Sequence, residues 1–133
     1  MIAAFQEIHL LAVVVAALVH LVLGLVWFAK PVFGRAWADL TGGDLQPAFR
    51  WVPAGILAHL FMALVLAMIV VLAHATTAVE GAAVGVLVAS SFVATMEVGE
   101  LVWEKIPFKL FLIRVGNQLA GFGLAGAILA VWR

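Results

Sequence analysis

Four long apolar runs dominate the chain: Ile8 to Phe28, Trp51 to Ala75, Val79 to Trp103 and Leu110 to Trp132. Each exceeds the roughly 18 residues that separate a membrane span from a buried core helix. None alternates strictly between apolar and polar positions, as a lipid-exposed barrel strand does. A backbone in hydrocarbon must satisfy its own hydrogen bonds, so the pattern predicts four transmembrane helices and an all-α fold. The runs leave no room for a soluble domain. The reading is one transmembrane domain, residues 1–133, with spans at about 8–28, 51–75, 79–103 and 110–132.

The polar connections set direction. Lys30, Arg35 and Arg50 fall between the first two spans, and Lys105 and Lys109 between the last two, with Arg114 just inside the fourth. The N-terminus and the connection from His74 to Glu80 carry no Lys or Arg. The positive-inside rule then puts both termini away from the cytoplasm, with Arg133 the only basic residue on their side. The aromatic anchors agree. Trp27, Trp37, Trp51 and Trp103, with Phe28, Phe33, Phe49, Phe108 and Phe111, gather at the expected cytoplasmic interface. In the first connection, Phe33, Trp37 and Leu40 recur at helical spacing while Arg35 and Asp39 lie off that stripe, which predicts a short interfacial helix. It should stop at Thr41-Gly42-Gly43-Asp44. Pro47 and Pro53 suit the lead into the second span. Leu25-Val26-Trp27 followed by Pro31 matches Leu101-Val102-Trp103 followed by Pro107 at the same spacing, as in two parallel-related hairpins.

Composition narrows the chemistry. Hydrophobic residues make up 67% of the chain, far beyond soluble domains, so a lipid bilayer is the expected surrounding. Seven basic and seven acidic residues cancel, which removes any case for a nucleic-acid partner. Cysteine is absent, and with it disulfides, thiolate metal sites and thiol redox chemistry. The first span lacks the basic lead and small-residue cleavage site of a signal peptide and is read as retained.

Ionisable groups inside spans are costly and face the bundle interior, so they mark the place to look for function. His20 lies eight residues before Phe28 and His59 eight after Trp51, each roughly 12 Å from the interface at about 1.5 Å per residue. They should share a depth. His20 shares a stripe with Ala16 and Gly24, and His59 with Gly55, Ala63 and Ala67, small residues that let helices approach. Glu97, Arg114, Asn117 and Gln118 fall in the same leaflet, and Glu97, Glu100 and Glu104 form an acidic face. Two histidines and a carboxylate suit a divalent metal or a proton relay. The bland alternative is that His20 and His59 hydrogen-bond across helices, Glu97 pairs with Arg114, and Glu100 and Glu104 are solvated beside Lys105 and Lys109.

A second pattern is a seam of small residues on the fourth span, Gly116, Ala120, Gly123, Ala127 and Ala130, with a Gly81/Gly85 pair on the third. Such seams drive helix packing, within a bundle or between subunits. They favour a homo-oligomer or a subunit of a larger membrane complex. No phosphate loop, nucleophile elbow, zinc-protease motif or EF-hand loop is present, and the mid-span Ser90 and Ser91 are read as bonding within the membrane, so no enzyme is expected.

At Gly24-Leu-Val-Trp27-Phe28, continued by Pro31, Phe33-Gly34 and Trp37, the chain resembles a bacterial membrane-protein family catalogued as domain of unknown function 1761. Gly126 to Trp132 is similar to that family's closing helix. Where the family pattern has Tyr after the first Trp and Pro one residue earlier, this chain has Phe28 and Pro31. The resemblance implies a four-span membrane protein from a bacterium, for which the cytoplasmic membrane is the expected location, and brings no activity or functional residues; His20 and His59 lie outside its pattern.

Three functional readings follow. In the first, His20, His59, Glu97 and Asn117 bind or conduct a small cation or proton, with Glu100 and Glu104 as entrance. A second makes the protein a non-catalytic accessory subunit docking through the fourth-span seam. A third takes His20 and His59 as axial ligands of a haem. No metal site or cofactor is assigned from sequence.

Overall fold

The computed structural model describes residues 6–132; Arg133, the basic residue expected at the far end, lies outside the described residues. Among those residues the protein is helical with no strand. Four helical stretches are long and apolar enough to cross a membrane: Leu10–Trp27, Phe49–Leu72, Ala78–Glu104 and Phe108–Val131.

Helix α1 (Leu10–Trp27) ends at Phe28, whose N–H still bonds the Gly24 carbonyl, and the Ala29 N–H turns to Val26 in a tighter bond. A π-helical turn over Lys30–Gly34 follows, with Pro31 in its first turn, where a missing N–H is harmless. It feeds α2 (Arg35–Thr41), the short helix expected at the interface. Gly42 stops α2 in the left-handed conformation, φ 65°, which only a residue without Cβ adopts cheaply. Phe33 packs on Trp27, ring centres 4.8 Å apart, and Trp37 meets the edge of Phe28. The apolar stripe thus holds the connection against the end of α1, while Arg35 and Asp39 are exposed.

A 3-10 turn at Phe49–Trp51 opens α3 (Val52–Leu72), with Pro53 in its first turn. The tight return to the third span is set by a capping box. The Thr77 hydroxyl accepts from the Glu80 N–H, and the Glu80 carboxylate accepts from the N–H groups of Thr76 and Thr77. From there α4 (Ala78–Val88) continues through a π-helical stretch at Ala89–Ala94, α5 (Thr95–Gly99) and a second π stretch at Glu100–Glu104. Lys105, at φ 54°, ends the span, and α6 (Phe108–Val131) returns across the membrane. Ser90 donates to the Leu87 carbonyl within its own helix.

Helix α6 is the axis of the bundle. Half of its span is buried, against less than a third of each of the other three. It packs on α1, α3 and α4 together, whereas the third span leans mainly on α6 and touches α3 lightly. Ala12, Val13, Ala16 and Ala17 of α1, Ala63, Leu66, Ala67 and Val70 of α3, and Phe122, Ala125 and Leu129 of α6 form the core.

Candidate functional site

The core alanines decide where the histidines go. Ala16 and Ala63 are fully buried, so α1 and α3 approach closely along the stripes that carry His20 and His59. The two imidazoles meet with ring centres 5.1 Å apart and planes tilted by 50°. His20 is 5% exposed, and Phe122 of α6 meets it edge-on at 5.4 Å. Gly121 receives the other side of the ring, for a Cβ there would fall on the imidazole itself. Gln118 lies beside it.

The two rings differ in hydrogen bonding. Nδ1 of His59 lies 2.8 Å from the Gly55 carbonyl. A carbonyl only accepts, so Nδ1 carries a proton, and in the neutral ring the lone pair then lies on Nε2. Among the described residues, neither ring nitrogen of His20 makes a hydrogen bond of normal geometry, and the Gln118 side chain is the polar group within reach of the ring. The buried Oδ1 of Asn117 is likewise unpartnered. Asn117 sits one helical turn before Gly121, on the face of α6 that His20 packs against.

Nearer the aromatic end lies a charged network. Arg114 of α6 bonds Glu100 directly and stands 3.6 Å from Glu97, so one cation serves two carboxylates. Oε2 of Glu97 is buried without a hydrogen bond. The expected Glu97–Arg114 ion pair is present, and Glu100, expected to be solvated beside Lys105, is the closer partner of Arg114. Among the described residues, no group of three His, Asp or Glu side chains is placed to hold a metal ion; of the expected cluster, His20 and His59 meet each other and Glu97 stands beside Arg114. Glu104 is exposed beyond both.

The small-residue seam has a definite location. Gly81 and Gly85 of α4 press on the backbone of Gly126 and Phe122, and a Cβ at Gly123 would meet Val86 at 3.2 Å. Gly116 faces Trp27 of α1, whose Nε1–H donates to the Ile113 carbonyl at 3.0 Å. Ala120 and Ala127 are half-buried. The anchors divide too. Trp27 and Trp37 are half-buried, Trp51 is exposed beneath the Arg50 guanidinium, and Trp103 is 84% exposed. Gly121, Gln118 and Phe122 are site residues that sequence reasoning passed over or left unassigned. For haem, imidazoles in direct contact leave no plane between them for a macrocycle, and Gly121 and Phe122 close around His20.

Fold and site together define a four-span helical membrane protein in which two imidazoles, His20 buried and His59 half-buried, meet between the helices. The chain belongs to the family described as protein of unknown function (DUF1761), whose model matches residues 11–130. No curated protein and no solved structure matches it.

Proposed function

We propose that this protein binds and passes a small cation, a proton or a metal ion, with the His20–His59 pair as its binding point. The reading rests on one observation: two imidazoles from different spans meet in the bundle interior, and among the described residues neither nitrogen of the more buried one makes a hydrogen bond of normal geometry. A buried polar group without a partner costs about 1–3 kcal/mol, a cost that an arriving cation or proton removes.

Successive turns of α6 supply a route. Arg114 with its carboxylates stands nearest the aromatic end, Asn117 and Gln118 follow, and Gly121 lies against His20. The basic residues Lys30, Arg35, Arg50, Lys105 and Lys109 cluster at that same end by sequence, so we assign it to the cytoplasmic side and the termini to the opposite side of a bacterial membrane. The role is non-catalytic. Docking to a larger complex by the fourth-span seam fits less well, because Gly123 and Gly126 face α4 inside the bundle.

Vesicles reconstituted with the protein, holding a pH-sensitive or a metal-sensitive dye, test the reading. Under an imposed gradient the wild type should exceed empty vesicles, and His20→Gln and His59→Ala should lower that flux at least tenfold with far-UV dichroism unchanged. Flux equal to that of empty vesicles, or equal flux in both variants and wild type, would remove it.

A further inference from the structure

We propose that His20 and His59 form a binding site for one borderline transition-metal ion, of the class of Zn2+ and Co2+, completed by the amide oxygens of Gln118 or Asn117. This inference rests on the small-cation reading and names the ion.

The orientation of His59 is the first argument. A metal-binding imidazole normally donates its other N–H to a carbonyl or carboxylate, which fixes the ring and aims the free lone pair at the ion. The Nδ1–Gly55 contact at 2.8 Å has that form and leaves Nε2 available. Spacing is the second. Rings 5.1 Å apart between centres are near enough for one ion, with bonds of about 2.0–2.1 Å, to join a nitrogen of each. Simple imidazole pairing would instead give a hydrogen bond between the rings, and neither nitrogen of His20 makes one.

Donor chemistry then selects the ion. Nitrogen donors suit zinc, copper, iron and nickel, whereas calcium and magnesium require oxygen ligands. Amide oxygen is available from Gln118 beside His20 and from the unpartnered Oδ1 of Asn117. The Glu97–Glu100–Arg114 network, one helical turn from Gln118 along α6, has one more carboxylate than guanidinium, a formal excess that opposes the ion's charge. Two imidazoles are fewer than the four ligands of a structural zinc site, so the ion should exchange. A conducted ion must bind well enough to enter and weakly enough to leave.

The test uses the full chain, stripped with chelator in mild detergent and titrated with Co2+ by visible absorbance, followed by displacement with Zn2+. The expected result is one ion per chain, with affinity at least tenfold lower in His59→Ala, His20→Gln and Gly121→Ala. Because His20 is buried, monodispersity and far-UV dichroism accompany each variant, and the half-buried His59 gives the variant that best preserves the fold. Absence of saturable Co2+ and Zn2+ binding in the wild type would overturn the proposal. So would affinity unchanged in His20→Gln and His59→Ala, or a stoichiometry lost only on replacing His9 or His74. Proton flux in metal-free vesicles alongside absent metal binding would sink the metal site and leave the small-cation reading standing; stoichiometric binding without flux would do the reverse.

Discussion

The contact between α4 and α6 is a backbone contact, and Gly85→Ala measures it. A Cβ on Gly85 would lie on the carbonyl oxygen of Phe122 and 2.6 Å from its carbonyl carbon. Carbon atoms pack at about 3.5–4.0 Å, so the helices must part by about 1 Å. A radial gap of that size forfeits up to about half the dispersion energy of each facing atom pair. Overpacking costs about 1–3 kcal/mol where side chains can shift; here the obstacle is main chain, which places the loss near 3 kcal/mol. Gly81 and Gly126 oppose each other in the same interface, a Cβ on Gly81 lying 2.8 Å from the Gly126 carbonyl carbon. Once one substitution has parted the helices, the second meets less resistance, so Gly81→Ala with Gly85→Ala should cost less than the sum of the two. Reversible unfolding in mixed micelles, followed by tryptophan fluorescence, reads these differences. Gly55→Ala, with nothing within 4 Å of its added Cβ, serves as control and should be neutral or stabilising by up to about 1 kcal/mol. A Gly85→Ala protein within about 0.5 kcal/mol of wild type, or strict additivity in the double variant, would refute the account.

Three further outcomes are expected. Trp27→Phe keeps the ring against Phe33 but removes the hydrogen bond to Ile113 that ties α1 to α6, at about 1 kcal/mol in the same unfolding assay. Thr77→Ala deletes half of the capping box that starts the third span and should cost about 1 kcal/mol, with amide exchange accelerating at Glu80 and Gly81 first. Arg114→Leu strands both Glu97 and Glu100 and should destabilise the protein more than Glu97→Gln, whose carboxylate is the more distant partner; the opposite ranking of midpoints would show that Glu97 is the principal partner.

The spans were legible because length and apolarity alone determine them: the run at 8–28 became α1 at Leu10–Trp27, and the stripe of Phe33, Trp37 and Leu40 became a helix stopped by Gly42. The π stretches were not legible. A π turn comes from an extra residue in the hydrogen-bond ladder, which has no compositional signature. This bears directly on the acidic face. Read at α-helical spacing, Glu97, Glu100 and Glu104 make one stripe, but the wider turn over Glu100–Glu104 breaks that register, and Glu104 ends exposed while Glu100 meets Arg114. Gly121 was missed for a similar reason. The small-residue seam was traced through Gly116, Ala120 and Gly123 at steps of four and three, and Gly121 lies off that line, on the face that receives His20.

Two glycine-lined faces of one helix therefore do different work. On the face of α6 toward α4, Gly126 and Phe122 meet Gly81 and Gly85 backbone to backbone, a contact with no side chain able to yield. On the face toward α1, Gly116 accommodates Trp27 and Gly121 accommodates His20, contacts in which a ring lies against main chain. The first fixes where α6 stands; the second decides what its neighbour can bring into the interior. An alanine at position 121 would expel the imidazole, and a larger residue at position 63, now fully buried, would push α3 and its His59 away. The pair exists because three helices are each trimmed to glycine or alanine where the rings meet. Tight packing alone would not require polar rings at that junction, since Leu or Phe fills such space without unpartnered nitrogens. On the function proposed above, a cation or proton arriving between the two imidazoles at the meeting point of α1, α3 and α6 would supply the partners that those nitrogens lack.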